Sequence, residues 1–195
     1  IMSTQGWFAI PIYVTKLEHG LFRNVQKELT DAVDKNIFGQ NPNWARDTHE
    51  LSGDAFKDDT LAKFDCNLFL STLDKHVNLY LDSVKCTWDR TYCIQQSWFT
   101  KTHNKQYAHI HDHGSADISG VYYLKTNQKD GNLYFKSLHK PLTSNYVFSC
   151  IPSEEELPLE EGLLALWPSM LEHGTKVNET DHERISVSFN IKFQQ

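Results

Sequence analysis

The chain has 195 residues, of which 39% are hydrophobic and 23% are charged, and this composition excludes the disordered, collagen-like and low-complexity classes of protein. Its net charge is −6 and no apolar run approaches the about 20 residues of a membrane span, so we expect neither a nucleic acid nor a membrane as a partner. The four cysteines form no CxxC pair and the N-terminus shows no signal-peptide pattern, which predicts free thiols and a cytoplasmic location.

The first half of the chain predicts one strand followed by two helices. Residues 7–14 are apolar and β-rich, and Pro11 within them indicates an edge position, so this edge is a candidate surface for a homo-oligomer. Apolar residues then recur three and four positions apart in two stretches, which predicts two helices with buried stripes. The two stripes consist of Phe22, Val25, Leu29 and Val33, and of Phe69, Leu73, Val77, Tyr80 and Val84. Residues 40–60 are polar and irregular.

After residue 88 the pattern becomes that of a β protein. Short segments rich in Tyr, Val, Ile and Phe alternate with turn residues, and they predict strands at 91–101, 107–113, 118–125, 132–136, 145–151, 163–167, 171–177 and 184–193. The last segment alternates apolar residues with Arg184, Ser186, Ser188 and Asn190, so one face belongs to a core and the other lines solvent or a cavity.

About eight strands after two helices predict a mainly β protein of the α+β class, a double-sheet jelly roll with a helical layer outside it. A sandwich without a cavity is the alternative. We expect a single domain over residues 1–195, with 1–88 as a strand and helical support region and 89–195 as the jelly-roll core. The acidic segment around Glu154 and Glu160 predicts a solvated surface loop, and His49, His76 and His139 are isolated.

A cluster of histidines is the first chemical signal. In a strand, His109, His111 and His113 point to the same side because side chains alternate between faces. Two imidazoles at this spacing can bind one metal ion, and His173 is the best candidate for a third ligand from elsewhere in the chain. A run of solvent-exposed histidines is the alternative interpretation.

Arg184 and Ser186 add a second signal downstream of His173. Both lie on the polar face of the last predicted strand, and an arginine fork beside a hydroxyl is suited to binding a carboxylate in a bidentate manner. The strand after the histidine pair, 118–125, carries tyrosines whose hydroxyl groups can add a hydrogen bond to the same carboxylate.

The order of these motifs resembles the 2-oxoglutarate/Fe(II)-dependent oxygenase superfamily. The resemblance rests on six motifs: His111-x-His113, Ser119-Gly120-Val121-Tyr122-Tyr123-Leu124, Asp130-Gly131-Asn132-Leu133, Leu166-Trp167-Pro168-Ser169, His173, and Arg184-Ile185-Ser186-Val187-Ser188-Phe189-Asn190. It is most similar to a branch found in marine bacteria and cyanophages, whose start also resembles residues 8–13. The resemblance spans nearly the whole chain.

The resemblance implies a double-stranded β-helix and an enzyme that uses Fe(II), 2-oxoglutarate and O₂ to hydroxylate a substrate whose identity stays open. It implies His111, His113 and His173 as metal ligands, and Arg184, Ser186 and Tyr123 as the residues that bind 2-oxoglutarate. The superfamily normally places His-x-Asp or His-x-Glu before the distal histidine, and neither occurs in this sequence. We prefer the pair His111/His113 because its spacing to Ser119 fits the branch, with His109/His111 as the alternative.

Two further hypotheses follow from the missing carboxylate ligand. Three histidines in a jelly roll are also compatible with a cupin-like metal protein that does not use 2-oxoglutarate. A non-catalytic jelly-roll binding module with a relic site is the third hypothesis. Trp98 and Trp167 flank the predicted barrel and are assigned no role, since large aromatic residues more often belong to a core.

Overall fold

The computed structural model describes residues 9–40, 48–53, 57–138 and 152–194. Its helices are α1 (His19–Asp34), α2 (Thr60–Lys63) and α3 (Asn67–Ser83). Its strands are β1 (Tyr13–Lys16), β2 (Phe38–Gln40), β3 (Glu50–Ser52), β4 (Tyr92–Thr102), β5 (Ala108–His111), β6 (Ile118–Lys125), β7 (Leu133–Lys136), β8 (Glu154–Leu157), β9 (Leu163–Pro168), β10 (His173–Thr175) and β11 (Arg184–Phe193).

The strands form two antiparallel sheets that face each other. The seven-stranded sheet has the order β1-β9-β6-β11-β4-β3-β2, and the four-stranded sheet has the order β5-β10-β7-β8. From β4 to β11 the chain passes back and forth between the two sheets, so that β4, β11, β6 and β9 oppose β5, β10, β7 and β8. This arrangement is a jelly roll, or double-stranded β-helix, and it confirms the predicted fold class.

The two long helices cover the outer face of the seven-stranded sheet. The apolar stripes that the spacing predicts pack on outward-facing residues of β6, β9 and β11. Val84 is the exception, because it follows the last residue of α3 and is exposed. The helices are also joined by a hydrogen-bonded cap, because the Glu28 carboxylate of α1 accepts bonds from the backbone N–H groups of Leu68 (2.9 Å) and Phe69 (2.8 Å) at the start of α3. These N–H groups have no partner inside their own helix.

The face of the large sheet that looks inward lines a cavity. In β11, Ile185, Val187 and Phe189 belong to the core beneath the helices, whereas Arg184 and Ser186 line the cavity between the sheets. The alternation predicted for this strand is therefore correct. Its polar face lines a cavity rather than solvent.

Several local predictions are wrong. The opening strand is Tyr13–Lys16 rather than 7–14, and residues 7 and 8 lie outside the described residues. Within the polar segment 40–60, Glu50–Ser52 is a strand that pairs with β4. Residues 154–157 form β8 rather than a loop, because they pair with β7. Glu154 also makes ion pairs with Lys136 of β7 and with Lys176, which follows β10. The predicted strand 145–151 lies outside the described residues.

In the described part of the chain, no helix is long and apolar enough to cross a membrane. Cys66, Cys86 and Cys93 are free thiols there, as predicted, and Cys150 lies outside it.

Candidate metal centre

Three histidines from distant parts of the chain meet at one end of the cavity. His111 ends β5 and His173 begins β10, and the antiparallel pairing of these strands sets the two residues side by side. His113 lies in the turn after β5, where its backbone N–H donates to the carbonyl of Ser169 (2.9 Å). Nitrogen atoms of the three rings all lie within 4.8 Å of one another. This spacing allows all three rings to bind a single metal ion.

Backbone carbonyls set the tautomers of two of these rings. Nδ1 of His111 lies 2.7 Å from the carbonyl oxygen of His109, and Nδ1 of His173 lies 2.9 Å from that of Leu171. Because a carbonyl can only accept, each Nδ1 carries the proton and each Nε2 carries the lone pair. In metalloproteins, a hydrogen bond donated by the ring nitrogen that does not bind the metal fixes the orientation of the histidine.

Burial keeps the three rings neutral. It lowers the pKa of His113 to about 4, with the neighbouring His111 adding to the effect, and it lowers the pKa of His111 and of His173 as well. A metal ion needs unprotonated imidazoles. The cluster therefore offers three neutral nitrogen ligands at neutral pH without having to lose protons first.

Asp112 and His109 lie outside this group. Asp112 is exposed, and its carboxylate accepts a hydrogen bond from the backbone N–H of Gly114 (3.0 Å) in the turn. His109 packs edge-on against Tyr107, with ring centroids 4.8 Å apart. Among the described residues, the cluster with metal-ligand spacing contains three histidines and no carboxylate.

Arg184 lies at the other end of the same cavity and is 3% exposed. Its Nη1 donates to the carbonyl oxygens of Asp130 (2.6 Å) and Gly131, and its Nη2 donates to Oγ1 of Thr102 (3.2 Å) and of Thr175 (3.0 Å). All four acceptors are uncharged. They fix the plane of the guanidinium without neutralising its charge.

The positive charge of Arg184 has no carboxylate within ion-pair distance in the described ranges. The nearest acidic group, the buried Asp130 carboxylate, is bound instead by the Thr126 hydroxyl (2.6 Å) and by His182 Nδ1 (3.0 Å). Burial lowers the pKa of Arg184, while Tyr123 and Asp130 raise it. Because a buried charge is costly until it is paired, this end of the cavity is suited to an incoming anion.

The hydroxyl groups of Tyr123 and Ser186 complete this end of the cavity. Both residues are buried and line it, and burial raises the pKa of Tyr123 to about 12, which keeps its hydroxyl protonated as a donor. Neither hydroxyl forms a hydrogen bond with any other described residue. An arginine and two hydroxyl groups thus line the same space, where all three could donate hydrogen bonds to a bound carboxylate.

The cavity has a volume of about 230 Å³ and connects the histidine cluster to Arg184. Its walls also contain Trp98 and Trp167, with Trp98 centred 5.8 Å from His113 and Trp167 centred 4.8 Å from His173. The space is therefore partly apolar and holds one polar group at each end, as is usual for a small-molecule site.

A buried polar chain crosses the large sheet beside the histidines. The Ser119 hydroxyl lies 2.9 Å from that of Ser169 and 2.8 Å from Oδ1 of Asn190, and Nδ2 of Asn190 donates to Oε1 of Gln96 (3.0 Å). Asn190 therefore shares the cavity face with Arg184, as its position in the last strand predicts, while its amide is engaged by neighbouring side chains.

Sequence reasoning did not identify three cavity residues. His49 was predicted to be isolated, but it is buried in the cavity wall, where its Nδ1 lies 3.3 Å from the carbonyl of Tyr107. Thr102 contacts Arg184 because it is its partner in the β4–β11 ladder, and Thr175 contacts it from β10 of the opposite sheet. Identifying Thr102 requires knowledge of strand pairing, and identifying Thr175 requires knowledge of how the two sheets face each other. His49 follows a polar segment without a strand pattern.

Comparison with known proteins places this site in context. Residues 96–190 match the profile of a protein family described as "Putative 2OG-Fe(II) oxygenase". This segment contains all six residues predicted to bind metal or 2-oxoglutarate. The comparison with curated proteins gave no match.

Solved structures similar to this chain have the same fold at low sequence identity. HygX from Streptomyces hygroscopicus, with nickel and 2-oxoglutarate bound, is 14% identical and has a TM-score of 0.63 over 95% of this chain and 84% of its own. A prolyl-4-hydroxylase from Pseudomonas putida is 13% identical, with a TM-score of 0.62 over 95% and 94%. The epimerase SnoN from nogalamycin biosynthesis is 12% identical, with a TM-score of 0.66 over 94% and 79%.

Proposed function

Because residues 96–190 belong to the 2OG-Fe(II) oxygenase family, we propose that this protein binds Fe(II) through His111, His113 and His173 and 2-oxoglutarate through Arg184, Ser186 and Tyr123. The family assignment confirms the resemblance to the superfamily. The narrower resemblance to a branch of marine bacteria and cyanophages stays a prediction.

One observation carries the proposal: the cavity joins a cluster of three neutral imidazoles to a buried guanidinium that lacks a carboxylate partner among the described residues. 2-Oxoglutarate has the complementary form, because its 2-oxo acid end can chelate a metal while its second carboxylate pairs with an arginine. HygX, with nickel and 2-oxoglutarate bound, has the same fold.

The histidines hold the metal in a fixed place. His111 and His173 are adjacent in paired strands, and their Nδ1 protons are committed to backbone carbonyls, so their Nε2 atoms are the ones that face an ion. When bound, Fe(II) and 2-oxoglutarate supply the activation of O₂, in which 2-oxoglutarate is decarboxylated to succinate and a substrate C–H bond is hydroxylated.

Arg184 orients the co-substrate. Its guanidinium is fixed by Thr102, Thr175 and two carbonyls, so it does not have to be ordered when the ligand arrives. The hydroxyls of Ser186 and Tyr123 then donate to the same carboxylate. The walls formed by the half-buried Trp98 and the buried Trp167 limit the access of water to the metal end.

The three-histidine set distinguishes this site from the usual triad of two histidines and one carboxylate. Three neutral ligands leave the bound ion with one more unit of positive charge. The anionic 2-oxo acid end of 2-oxoglutarate would offset part of that charge. A cupin-like protein that does not use 2-oxoglutarate would share the histidines but would have no need of Arg184 and Ser186 on the cavity face.

The proposal is tested by anaerobic titration of Fe(II) and 2-oxoglutarate, followed by the charge-transfer absorption of the chelate. We expect this absorption in the wild-type protein and its loss in the Arg184→Ala variant. The matched control is Arg90→Ala, since Arg90 pairs with Asp82 outside the cavity. Fe(II) binding without any effect of 2-oxoglutarate would favour the cupin-like hypothesis, and absence of metal binding would favour the non-catalytic one.

The substrate in this proposal is a molecule with an oxidisable C–H bond. A cytoplasmic location and O₂ as second co-substrate remain part of the proposal. So does a homo-oligomer through the β1 edge, where Val14 is exposed at the end of the seven-stranded sheet.

A further inference from the structure

The Asp130-Gly131-Asn132-Leu133 motif contains a buried acid to which the proposed function assigns no role. Asp130 lies in the turn between β6 and β7, and its exposed fraction is 0%. Burying a carboxylate is costly unless hydrogen bonds replace the water that it loses. The groups that bind this carboxylate therefore indicate what its burial achieves.

The Asp130 carboxylate joins two segments of the chain. It accepts hydrogen bonds from the Thr126 hydroxyl (2.6 Å) and from the backbone N–H of Asn127 (2.9 Å), and these bonds close the turn between β6 and β7. It also accepts a bond from Nδ1 of His182 (3.0 Å), in the segment that leads into β11. A further bond links the same two segments, since Nδ2 of Asn127 donates to the Thr180 hydroxyl (3.1 Å).

The main chain of the same turn fixes Arg184. Nη1 of Arg184 donates to the carbonyl oxygens of Asp130 (2.6 Å) and Gly131, so the guanidinium lies where the conformation of the turn puts these two oxygens. The segment that contains His182 leads directly into Arg184, the first residue of β11. The Asp130 carboxylate therefore holds in place both the acceptors of the guanidinium and the chain that carries it.

Asp130 fixes the guanidinium through neutral carbonyls instead of pairing with it. Its carboxylate is engaged by a hydroxyl, a backbone N–H and an imidazole. A direct ion pair would satisfy the charge of Arg184 and leave less attraction for a ligand. The arrangement thus combines a fixed guanidinium with a charge that a carboxylate ligand can pair.

We propose that Asp130 is a positioning residue that sets the distance between the Arg184 guanidinium and the histidine cluster, and thereby selects a 2-oxo acid with a second carboxylate. This inference rests on the proposed function, in which the 2-oxo acid end of 2-oxoglutarate lies at the histidines and its second carboxylate at Arg184. Both ends bind together only when the two anchors are spaced to match the ligand. A displacement of about 1 Å is enough to spoil such a fit.

Two 2-oxo acids distinguish positioning from a general loss of structure. 2-Oxoglutarate can reach both the metal and Arg184, whereas 2-oxobutyrate has the same 2-oxo acid end and no second carboxylate. Isothermal titration measures the affinity of the Zn(II)-loaded protein for each. Asp130→Ala is expected to weaken 2-oxoglutarate binding about tenfold and to leave the affinities for 2-oxobutyrate and for Zn(II) within about twofold. Equal weakening for the two acids, or an unchanged affinity for 2-oxoglutarate, would overturn the proposal.

Two milder variants keep the test decisive if Asp130→Ala does not fold. Asp130→Asn retains the shape of the side chain and an oxygen that can accept from Thr126, and Thr126→Val removes only that bond. Each is expected to weaken 2-oxoglutarate binding about threefold, again with no change for 2-oxobutyrate. Wild-type affinity for 2-oxoglutarate in both variants would count against the proposal.

Asp59→Ala is the matched control. Asp59 also accepts hydrogen bonds from a hydroxyl, that of Ser97 (2.6 Å), and from a backbone N–H, that of Ala62 (3.2 Å), but it does not line the cavity. Its loss should lower stability in urea and leave both 2-oxo acid affinities unchanged. If Asp59→Ala weakened 2-oxoglutarate binding as Asp130→Ala does, the effect at Asp130 would be a general one and the proposal would be wrong.

The wild-type titration separates this inference from the proposed function. If the Zn(II)-loaded wild-type protein does not bind 2-oxoglutarate, the proposed function itself is overturned. If it does bind 2-oxoglutarate and Asp130→Ala does not change the ratio of the two affinities, only the role of Asp130 is wrong.

Discussion

At the scale of single residues, the environment of Arg184 combines fixed geometry with an unpaired charge. Two backbone carbonyls from the turn before β7 and two threonine hydroxyls determine where the guanidinium lies. None of these groups is anionic, so the electrostatic cost of burying the charge is offset only in part. We therefore expect a carboxylate ligand to stabilise the folded protein more than its contact area alone suggests.

Gly131 is the residue on which this arrangement depends most closely. Its φ is +93°, and a Cβ atom there would lie 2.1 Å from the carbonyl oxygen of Lys176 and 3.1 Å from Nη1 of Arg184. Gly131→Ala is expected to lower the free energy of unfolding by about 1–3 kcal/mol and to weaken 2-oxoglutarate binding. Urea unfolding measures the loss of stability, and thermal shifts on addition of 2-oxoglutarate measure the weaker binding.

Gly20 provides the matched control for that substitution. It lies in α1, and no atom comes within 4 Å of the position that a Cβ atom would take there. Gly20→Ala is therefore expected to raise stability slightly, by up to about 1 kcal/mol. Equal stability losses in the two variants would contradict the proposed strain at Gly131.

The choice between His113 and His109 as the second proximal ligand is also testable at this scale. His113→Ala removes a member of the cluster and should weaken metal binding by more than the about 10–100-fold that loss of an outer-shell partner costs. His109→Ala and Asp112→Ala should leave metal affinity nearly unchanged, because neither side chain belongs to the cluster. Isothermal titration with Zn(II) measures the affinities, and a large loss in Asp112→Ala would contradict the three-histidine site.

At the scale of elements, the cap between α1 and α3 joins the helices as a unit above the large sheet. Glu28 accepts two backbone hydrogen bonds at the N-terminus of α3, where negative charge is also favoured by the helix dipole. Glu28→Ala is expected to lower the free energy of unfolding by about 1–2 kcal/mol. Glu18→Ala is the control, since Glu18 precedes α1 without a side-chain cap and should change stability by less than about 0.5 kcal/mol. Urea denaturation compares the two, and equal losses would show that the cap is unimportant.

Element length decides which strands the sequence could predict. β6 and β11 have 8 and 10 residues and were predicted with their observed bounds, because many residues contribute to the pattern. β3 has 3 residues, which are too few to form a recognisable strand pattern in the sequence. β8 has 4 residues, three of them glutamates, and its side chains pair with Lys136 and Lys176 instead of forming an apolar face.

The same distinction applies to the site. His111 and His113 are predictable because their spacing is local, and Arg184 and Ser186 because they share one face of a long strand. Thr102 contacts Arg184 through strand pairing, whereas Thr175 contacts it through the packing of one sheet on the other. Functional residues that depend on register or packing cannot be read from the order of residues alone.

At the scale of the whole molecule, the buried histidines couple stability to pH. Burial lowers the pKa of His49 and of His113 from 6.5 to about 4 in the folded protein. Between pH 6.5 and 4 the unfolded chain therefore binds protons at these rings that the folded protein does not. The stability associated with the neutral rings is fully present above pH 6.5 and is lost as the pH falls toward 4, by up to about 1.4 kcal/mol per pH unit for each ring.

His49 allows this coupling to be measured without altering the metal cluster. In the metal-free protein, the free energy of unfolding is expected to fall between pH 6.5 and 4.5, and His49→Gln should make that fall shallower by about 1 kcal/mol per pH unit. His19→Gln is the control for the loss of a histidine outside the cavity, because His19 is exposed at the start of α1. Urea unfolding at several pH values gives the slopes. An unaltered slope in His49→Gln would mean that this ring is protonated equally in the folded and unfolded chains, and the cavity wall would then be more open to water than its burial indicates.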